Sequence, residues 1–349
     1  MSGSGDSLID QELDIIKEHH LSGSVVLTSE EMLDSKVVAK EVAIEGKKII
    51  LEGLSRKGLS YSGERKISED GCVVIRNDEA LQAIVVDGGT QIEKVSTLDA
   101  MGLTGGRYIT TLVEQFGRNL DPSLSVAINL RRLNEEIGED IKVHHPSIIY
   151  QEHAHDNPYG SIAAVKIDTK NHTLEIANAG DVFVIAVDNI GKQILLTVDD
   201  VSKKDQKTFA VARQLADKHG VSFRQAIQQR ASDPRFNRIM EEMEETMRQA
   251  NVGIIRRITG TPNFDVTSSK KIPLGDIQSI FLFTDGGVIP GININTPGEQ
   301  VTFLRLVESS GLQGLNEAIQ RKMLEDPDYE LYPRFGTMDD LMILKIAVQ

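Results

Sequence analysis

Acidic residues stand at the ends of several apolar stretches of the sequence, often directly before glycine. The stretch SIFLF leads into Thr284, Asp285 and two glycines, and the stretch AIVV leads into Asp87 and Gly88. Aspartate and glycine are poor strand residues, and a carboxylate at the end of a buried strand is costly unless something pairs with it. Each of these acids therefore either caps a turn or helps to hold a cation.

Two acidic pairs flank further strand-like stretches. Glu69-Asp70 precedes GCVVIR, and Asp339-Asp340 precedes LMILKIAV. If the strands are neighbours in one sandwich, the acids meet at one edge, where several carboxylates cannot all stay ionised in a low-dielectric cleft. Mg²⁺ or Mn²⁺, which take oxygen ligands, would remove that conflict. For any single Asp-Gly pair a hairpin turn is the alternative.

The elements that must position these acids are short strands with helices between them. Strand-like stretches cover residues 47–55, 71–77, 80–89, 161–169, 172–188, 193–200, 279–287 and 340–348. Helical patterns cover residues 106–138, 204–250 and 298–325. Turn signals between strands indicate antiparallel pairing. The pattern predicts an α+β fold in which helices cover the outer faces of a sheet sandwich.

The chain divides into three predicted parts. Residues 1–46 are expected to form a helical extension of unknown function, in which TSEE at residues 28–31 has the spacing of a capping box. Residues 47–349 are expected to form the main domain, with a helical insertion at about residues 202–252.

A methionine series lies in that insertion. Met240, Met243 and Met247 recur at helical spacing, which indicates a helix face packed on the domain more than a binding stripe. Its mixed charges are typical of a solvated surface, and selection of protein partners is the functional alternative.

Composition excludes several classes of protein. The chain has 349 residues, a net charge of −14 and no tryptophan, which argues against a nucleic-acid binder. Cys72 is the only cysteine, so no intrachain disulfide forms. The N-terminal sequence has no secretory pattern, and no apolar stretch is long enough to span a membrane. We expect a cytoplasmic protein with no membrane partner.

The polar stretch EHAHDN, residues 152–157, offers a rival metal site. His153, His155 and Asp156 have spacing seen in zinc hydrolases, but no further ligand set surrounds them. A solvated loop is the alternative.

Taken in order, the motifs resemble those of the metal-dependent serine/threonine protein phosphatases of the type 2C, or PPM, family. The matching stretches are RKISED (65–70), VVDGGT (85–90), GSIAAV (160–165), ANAGDVFVIAV (177–187), RRITGTPNFDV (256–266), LFTDGG (282–287) and DDLMILKIAV (339–348). The resemblance runs over roughly residues 47–348, with these motifs in the same order. The resemblance implies an αββα sandwich of two antiparallel sheets, with two Mn²⁺ or Mg²⁺ ions at one end.

The resemblance also implies metal ligands. Asp87 would bridge both ions and act in catalysis, and the Gly88 carbonyl would bind one of them. Asp285 and Asp339 would bind the other ion, although a shift of one residue would substitute Asp340 for Asp339.

Further roles follow from the same motifs. Glu69 and Asp70 would hold an ion or its water, and Asp156 is a candidate ligand of a third ion. Arg65 matches the family's phosphate-binding arginine, whose guanidinium fits phosphate oxygens bidentately. Asp181 is interpreted as a turn acid that supports the sheet.

The implied function is hydrolysis of phosphoserine and phosphothreonine monoesters in a phosphorylated protein substrate, by direct attack of water activated at the two ions. Gly89 and Thr90 replace the part of the motif where many members have a histidine, a proposed general acid, so the proton donor is left open. One alternative is a catalytically silent module of this fold that binds protein partners. Another is a hydrolase of small phosphoesters.

Overall fold

The computed structural model contains two six-stranded antiparallel sheets stacked face to face. The structure describes residues 25–32, 35–59, 67–89, 98, 102–146, 158–199, 201–251, 256–262 and 264–349.

The first sheet has the strand order β1-β4-β5-β6-β7-β10. Its strands are β1 (Val25–Thr28), β4 (Asp70–Arg76), β5 (Ala80–Gly88), β6 (Gly160–Asp168), β7 (Thr173–Ala179) and β10 (Ser268–Pro273). The second sheet has the order β2-β3-β12-β11-β8-β9. Its strands are β2 (Val37–Ile44), β3 (Lys47–Arg56), β12 (Leu341–Val348), β11 (Ile277–Phe283), β8 (Phe183–Asp188) and β9 (Gln193–Leu195).

Helices cover the outer face of each sheet. α1 (Gly105–Gly117) and α2 (Val126–His144) pack on the first sheet, and α6 (Pro297–Glu325) packs on the second. The predicted α+β sandwich of two antiparallel sheets flanked by helices is confirmed.

Side chains that point alternately to the two faces of each central strand explain why both faces of the sheets are covered. In β4, Cys72 and Val74 face the core between the sheets, whereas Val73 and Ile75 face the core under α1 and α2. Successive side chains of a strand point to opposite faces, so a strand covered on both faces is apolar throughout. By the same parity, Asp70 and Asp87 belong to the face that meets the second sheet.

The predicted helical insertion forms three helices with their own apolar core. These are α3 (Ser202–His219), α4 (Phe223–Gln229) and α5 (Asn237–Asn251). Met243 packs against that core. Among the helices that the structure describes, none is both long and apolar enough to cross a membrane.

The segment before residue 47 differs from the helical prediction. Residues 25–28 and 37–44 are strands, one in each sheet, and TSEE forms only a short 3₁₀ turn capped by Thr28. The sequence of β2 does not reveal a strand because its exposed positions are mostly apolar and one of its half-buried positions is Lys40, so polar and apolar residues do not alternate. Residues 1–24 of the predicted helical extension lie outside the described residues.

Candidate functional site

Strand register places two of the predicted acids side by side. In the first sheet Asp70 lies opposite Asp87, and Asp87 lies opposite Ser161 on the next strand. Directly paired positions bring Cβ atoms to about 5 Å. Asp70 is buried, and Asp87 is partly accessible at the end of its strand.

Thr284 joins this edge to the second sheet. Its hydroxyl donates to a carboxylate oxygen of Asp70 over 2.7 Å and accepts from the backbone N–H of Met342 over 3.0 Å. The next residue, Asp285, begins a short 3₁₀ turn and reaches solvent in the cleft between the sheets. A Cβ on Gly286 would lie 1.7 Å from the carbonyl oxygen of Asp340, so only glycine permits this turn.

The two adjacent acids before β12 have different surroundings. The carboxylate of Asp340 is buried and accepts backbone N–H groups of Gly58, over 2.5 Å, and of Glu69, over 2.7 Å. The side chain of Asp339 is exposed in the cleft, and its carboxylate accepts the N–H of Asp340 over 2.9 Å. Asp340 therefore orders the backbone, and Asp339 is the acid available to a ligand.

The backbone at Gly88 is tightly enclosed. Its N–H donates to the carbonyl of Glu69 over 3.1 Å, and a Cβ would stand 2.5 Å from the carbonyl oxygen of Gly106 at the start of α1. The buried Glu69 is thereby fixed beside the acids through its backbone, whose carbonyl also accepts the Thr110 hydroxyl. Glycine is required here by contact with backbone, which cannot move aside.

The cleft formed by these residues has a volume of about 300 Å³. Its acidic lining consists of Glu69, Asp70, Asp87, Asp181, Asp205, Asp285, Asp339 and Asp340. A shallower depression of about 410 Å³ on α6 contains no residue of the sequence motifs. The acidic cleft is therefore the candidate functional site.

The acids raise one another's pKa. Burial raises the pKa of Asp70 well above its usual range, and the charge of Asp340 adds to the effect. Burial likewise raises the pKa of Asp87, with repulsion from Asp70, and the pKa of Asp285, with repulsion from Asp87. Like charges in a low-dielectric cleft disfavour ionisation.

Two arginines partly offset this charge. Arg56 lies behind the acids and donates to the carbonyl of Asp339 over 3.0 Å and to Asn316 over 2.9 Å. Burial lowers the pKa of Arg56 to about 10, against the attraction of Asp339. Arg257 lies in the cleft with its guanidinium carbon 4.5 Å from the centre of the Tyr159 ring.

Asp181 follows β7 and lines the cleft as well. It accepts a hydrogen bond from the hydroxyl of Ser161, in keeping with a supporting role, although its charge also contributes to the raised pKa of Asp87 and Asp285. Burial raises the pKa of Asp181, and Arg257 opposes that change.

The donor set suits a hard divalent cation. All candidate ligands are carboxylate or carbonyl oxygens, which Mg²⁺ and Mn²⁺ prefer, and such ions keep several waters beside one or two carboxylates. Within the described ranges, no three Asp, Glu, His or Cys side chains are already arranged to hold a metal ion. The acids line one cleft without forming a closed coordination shell.

The structure thus brings together most of the predicted site. Glu69, Asp70, Asp87, Gly88, Asp285 and Asp339 all line the same cleft. Arg65 and Asp156, with His153 and His155 of the rival zinc stretch, lie outside the described residues, and their roles stay predictions.

Sequence reasoning gave no role to Arg56, Tyr159, Asp205 or Arg257. Arg257 lies within RRITGTPNFDV, one of the stretches that carry the family resemblance, and this was the signal that could have pointed to it. Asp205 lies in the charged first turn of a helix, and such a turn is typical of a solvated surface. No sequence pattern relates Asp205 to the cleft.

Comparison with known proteins identifies similar folds among solved structures. RsbX in complex with magnesium is 12% identical, with a TM-score of 0.44 over 89% of this chain and 100% of that chain. The catalytic domain of the serine/threonine protein phosphatase PstP with two manganese ions is 15% identical, with a TM-score of 0.45 over 86% and 98%. A serine/threonine phosphatase of S. agalactiae is 16% identical, with a TM-score of 0.46 over 86% and 100%.

The last two are serine/threonine phosphatases, the class of protein that the sequence motifs resemble. No protein-family profile and no curated protein matches the chain.

Proposed function

We propose that this protein is a metal-dependent phosphatase that hydrolyses phosphoserine and phosphothreonine in proteins. The observation that carries the proposal is the convergence of acids from both sheets on one cleft. Asp70 and Asp87 come from the first sheet, and Asp285 and Asp339 come from the second. The raised pKa values of Asp70, Asp87 and Asp285 indicate a site whose charge a cation would balance.

Asp87 and the carbonyl of Gly88 would hold one divalent ion, and Asp87, Asp285 and Asp339 would hold the second. When bound, two such ions supply Lewis acidity that orients a phosphomonoester and promotes attack by water. Glu69 and Asp70 support this region from β4 and the preceding residue, and Asp340 fixes the backbone around it.

The remaining residues that line the cleft surround the path by which a substrate would reach the acids. The insertion contributes Asp205 and Thr208 from α3, and Met243 and Thr246 from α5, to the lining of the cleft. Arg257 supplies a guanidinium near the acids, of a type that binds phosphate oxygens. We expect the cleft to accept a phosphorylated side chain on an exposed protein segment, because it opens between the edge of the sheets and the helices α3 and α5.

The test is hydrolysis of a phosphothreonine peptide and of p-nitrophenyl phosphate with Mn²⁺, with Mg²⁺ and with EDTA. We expect turnover that requires the metal and that Asp285→Asn abolishes. Asp276→Asn is the matched control, because Asp276 is exposed at the turn before the same strand, at its opposite end. Equal metal-dependent turnover in both variants would contradict the proposal.

Other outcomes separate the alternatives. Turnover of p-nitrophenyl phosphate without turnover of phosphopeptides would favour a hydrolase of small phosphoesters. A folded protein that neither binds Mn²⁺ by calorimetry nor hydrolyses either substrate would favour the silent binding module.

A further inference from the structure

Residue 89 is a glycine at the position where the motif of many family members has a histidine. It therefore has no side chain that could donate a proton. Gly89 donates its N–H to the carbonyl of Tyr159 over 2.9 Å, and a Cβ on Gly89 would stand 1.7 Å from a ring carbon of Tyr159. The ring therefore occupies the space that any side chain at residue 89 would enter. A proton for the leaving group must come from elsewhere in the cleft.

We propose that Asp205, in the helical insertion, is the general acid that protonates the serine or threonine oxygen as it leaves. This inference rests on the proposed phosphatase function. It assigns a catalytic role to the insertion, since Asp205 lies in the first turn of α3 and lines the same cleft as Asp87 and Asp285.

The start of α3 is fixed in place by its own hydrogen bonds. Asp199 accepts the backbone N–H groups of Val201 and Ser202, both over 2.9 Å. The N–H of Asp205 in turn donates to the carbonyl of Val201 over 3.3 Å. These contacts fix the first turn of α3, from which Asp205 lines the cleft together with Asp87 and Asp285.

The other acidic groups on this side of the cleft are poorer donors. Asp181 is buried and accepts the hydrogen bond of Ser161, so its oxygen already has a fixed partner. Burial raises the pKa of Tyr159 to about 12, against the attraction of Arg257, so the phenol holds its proton too tightly for efficient transfer at neutral pH.

The electrostatic surroundings of Asp205 suit the role. Burial raises its pKa to about 7, with repulsion from Asp181, Asp199 and Asp339, while Arg257 opposes the change. Water still reaches the half-buried side chain through the cleft. Burial is the largest cause of the raised pKa and does not depend on the charge of the other acids, so it favours a carboxyl that holds a proton to donate.

The proposed reaction is hydrolysis of the phosphomonoester with proton transfer from Asp205. The oxygen of a water molecule forms a bond to phosphorus while the bond from phosphorus to the ester oxygen breaks. The electron pair of that bond stays on the serine or threonine oxygen, which takes the proton of the Asp205 carboxyl. Inorganic phosphate and the free hydroxyl leave, and the Asp205 carboxylate regains the proton that the attacking water lost.

The experiment compares leaving groups that differ in their need for a proton. Nitrophenolate is stable as an anion, whereas a threonine alkoxide is not. We expect Asp205→Asn to lower kcat for a phosphothreonine peptide by about 10²- to 10⁴-fold and to leave kcat for p-nitrophenyl phosphate within about threefold. Asp205→Glu should restore part of the activity on the peptide.

The control is Asp217→Asn, which changes an exposed acid on the same helix and should affect neither substrate. Calorimetric titration with Mn²⁺ should give the same affinity for wild-type protein and Asp205→Asn. Equal loss on both substrates, or loss of Mn²⁺ binding, would overturn the role of Asp205 while leaving the phosphatase proposal standing. If the wild-type protein hydrolyses neither substrate, both proposals fail.

Discussion

Substitution of Asp70 should stabilise the metal-free protein and weaken its response to metal. Asp70 is 3% exposed, and burial together with Asp340 raises its pKa well above the value of about 3.9 for an unfolded chain. A raised pKa in the folded state means that ionisation opposes folding. The stabilising contribution is complete below the unfolded pKa and is lost as pH rises through the folded pKa.

The size of the effect follows from the same relation. Each unit by which the pKa is raised corresponds to about 1.4 kcal/mol of stability lost at neutral pH. Asp70→Asn removes this cost and keeps an oxygen that can accept the Thr284 hydroxyl. With an unfolding entropy of about 2.1 cal/mol/K per residue, a chain of 349 residues gains about 2 °C in Tm for each 1.4 kcal/mol.

Bound Mn²⁺ should make the wild-type protein more stable than Asp70→Asn, which is the reverse of their order without metal. Binding of Mn²⁺ at 100 times its Kd stabilises a folded protein by about 2.7 kcal/mol, and we expect Asp70→Asn to lose most of that gain. The assay is calorimetric unfolding at pH 7 with EDTA and with Mn²⁺, and Asp276→Asn serves as a control for removal of an exposed acid. A variant with a lower Tm in EDTA and an unchanged gain in Mn²⁺ would refute the reasoning.

Three further results are expected. Metal-free wild-type protein should gain stability in denaturant titrations as pH falls from 7 to 5, because the raised carboxyl pKa values favour protonation in the folded state, and Mn²⁺ should reverse this trend. Gly286→Ala should cost about 1–3 kcal/mol of unfolding free energy and at least tenfold in kcat, since its Cβ would clash with the Asp340 carbonyl, whereas Gly275→Ala meets no atom within 4 Å and should be neutral. Thr284→Val should cost about 1–3 kcal/mol in urea unfolding, because it leaves a carboxylate oxygen of Asp70 without its donor.

The central strands and the acids at their ends could be predicted from sequence because both depend on local pattern. β4 and β11 each contribute side chains to two cores, and β4 begins at Asp70 while β11 ends just before Asp285, two acids that line the cleft. By contrast, β10 reads SSKKIP, with exposed lysines at the edge of a sheet, and has no apolar periodicity.

Contacts between distant segments could not be predicted from the sequence. The different surroundings of Asp339 and Asp340 depend on the N–H groups of Gly58 and Glu69, which lie far away along the chain. The place of Asp205 depends on how the insertion packs over the sheet edge, and single-sequence periodicity carries no information on that packing.

The strands formed before residue 47 also protect the protein from self-association. β1 and β2 pair with β4 and β3, and without them β4 and β3 would become the edge strands, with their own backbone groups unpaired. β4 is apolar on both faces, so its bare edge would be a template for pairing with other chains. A fragment that begins at residue 47 should therefore aggregate even though it contains the predicted ligands of the acidic cleft.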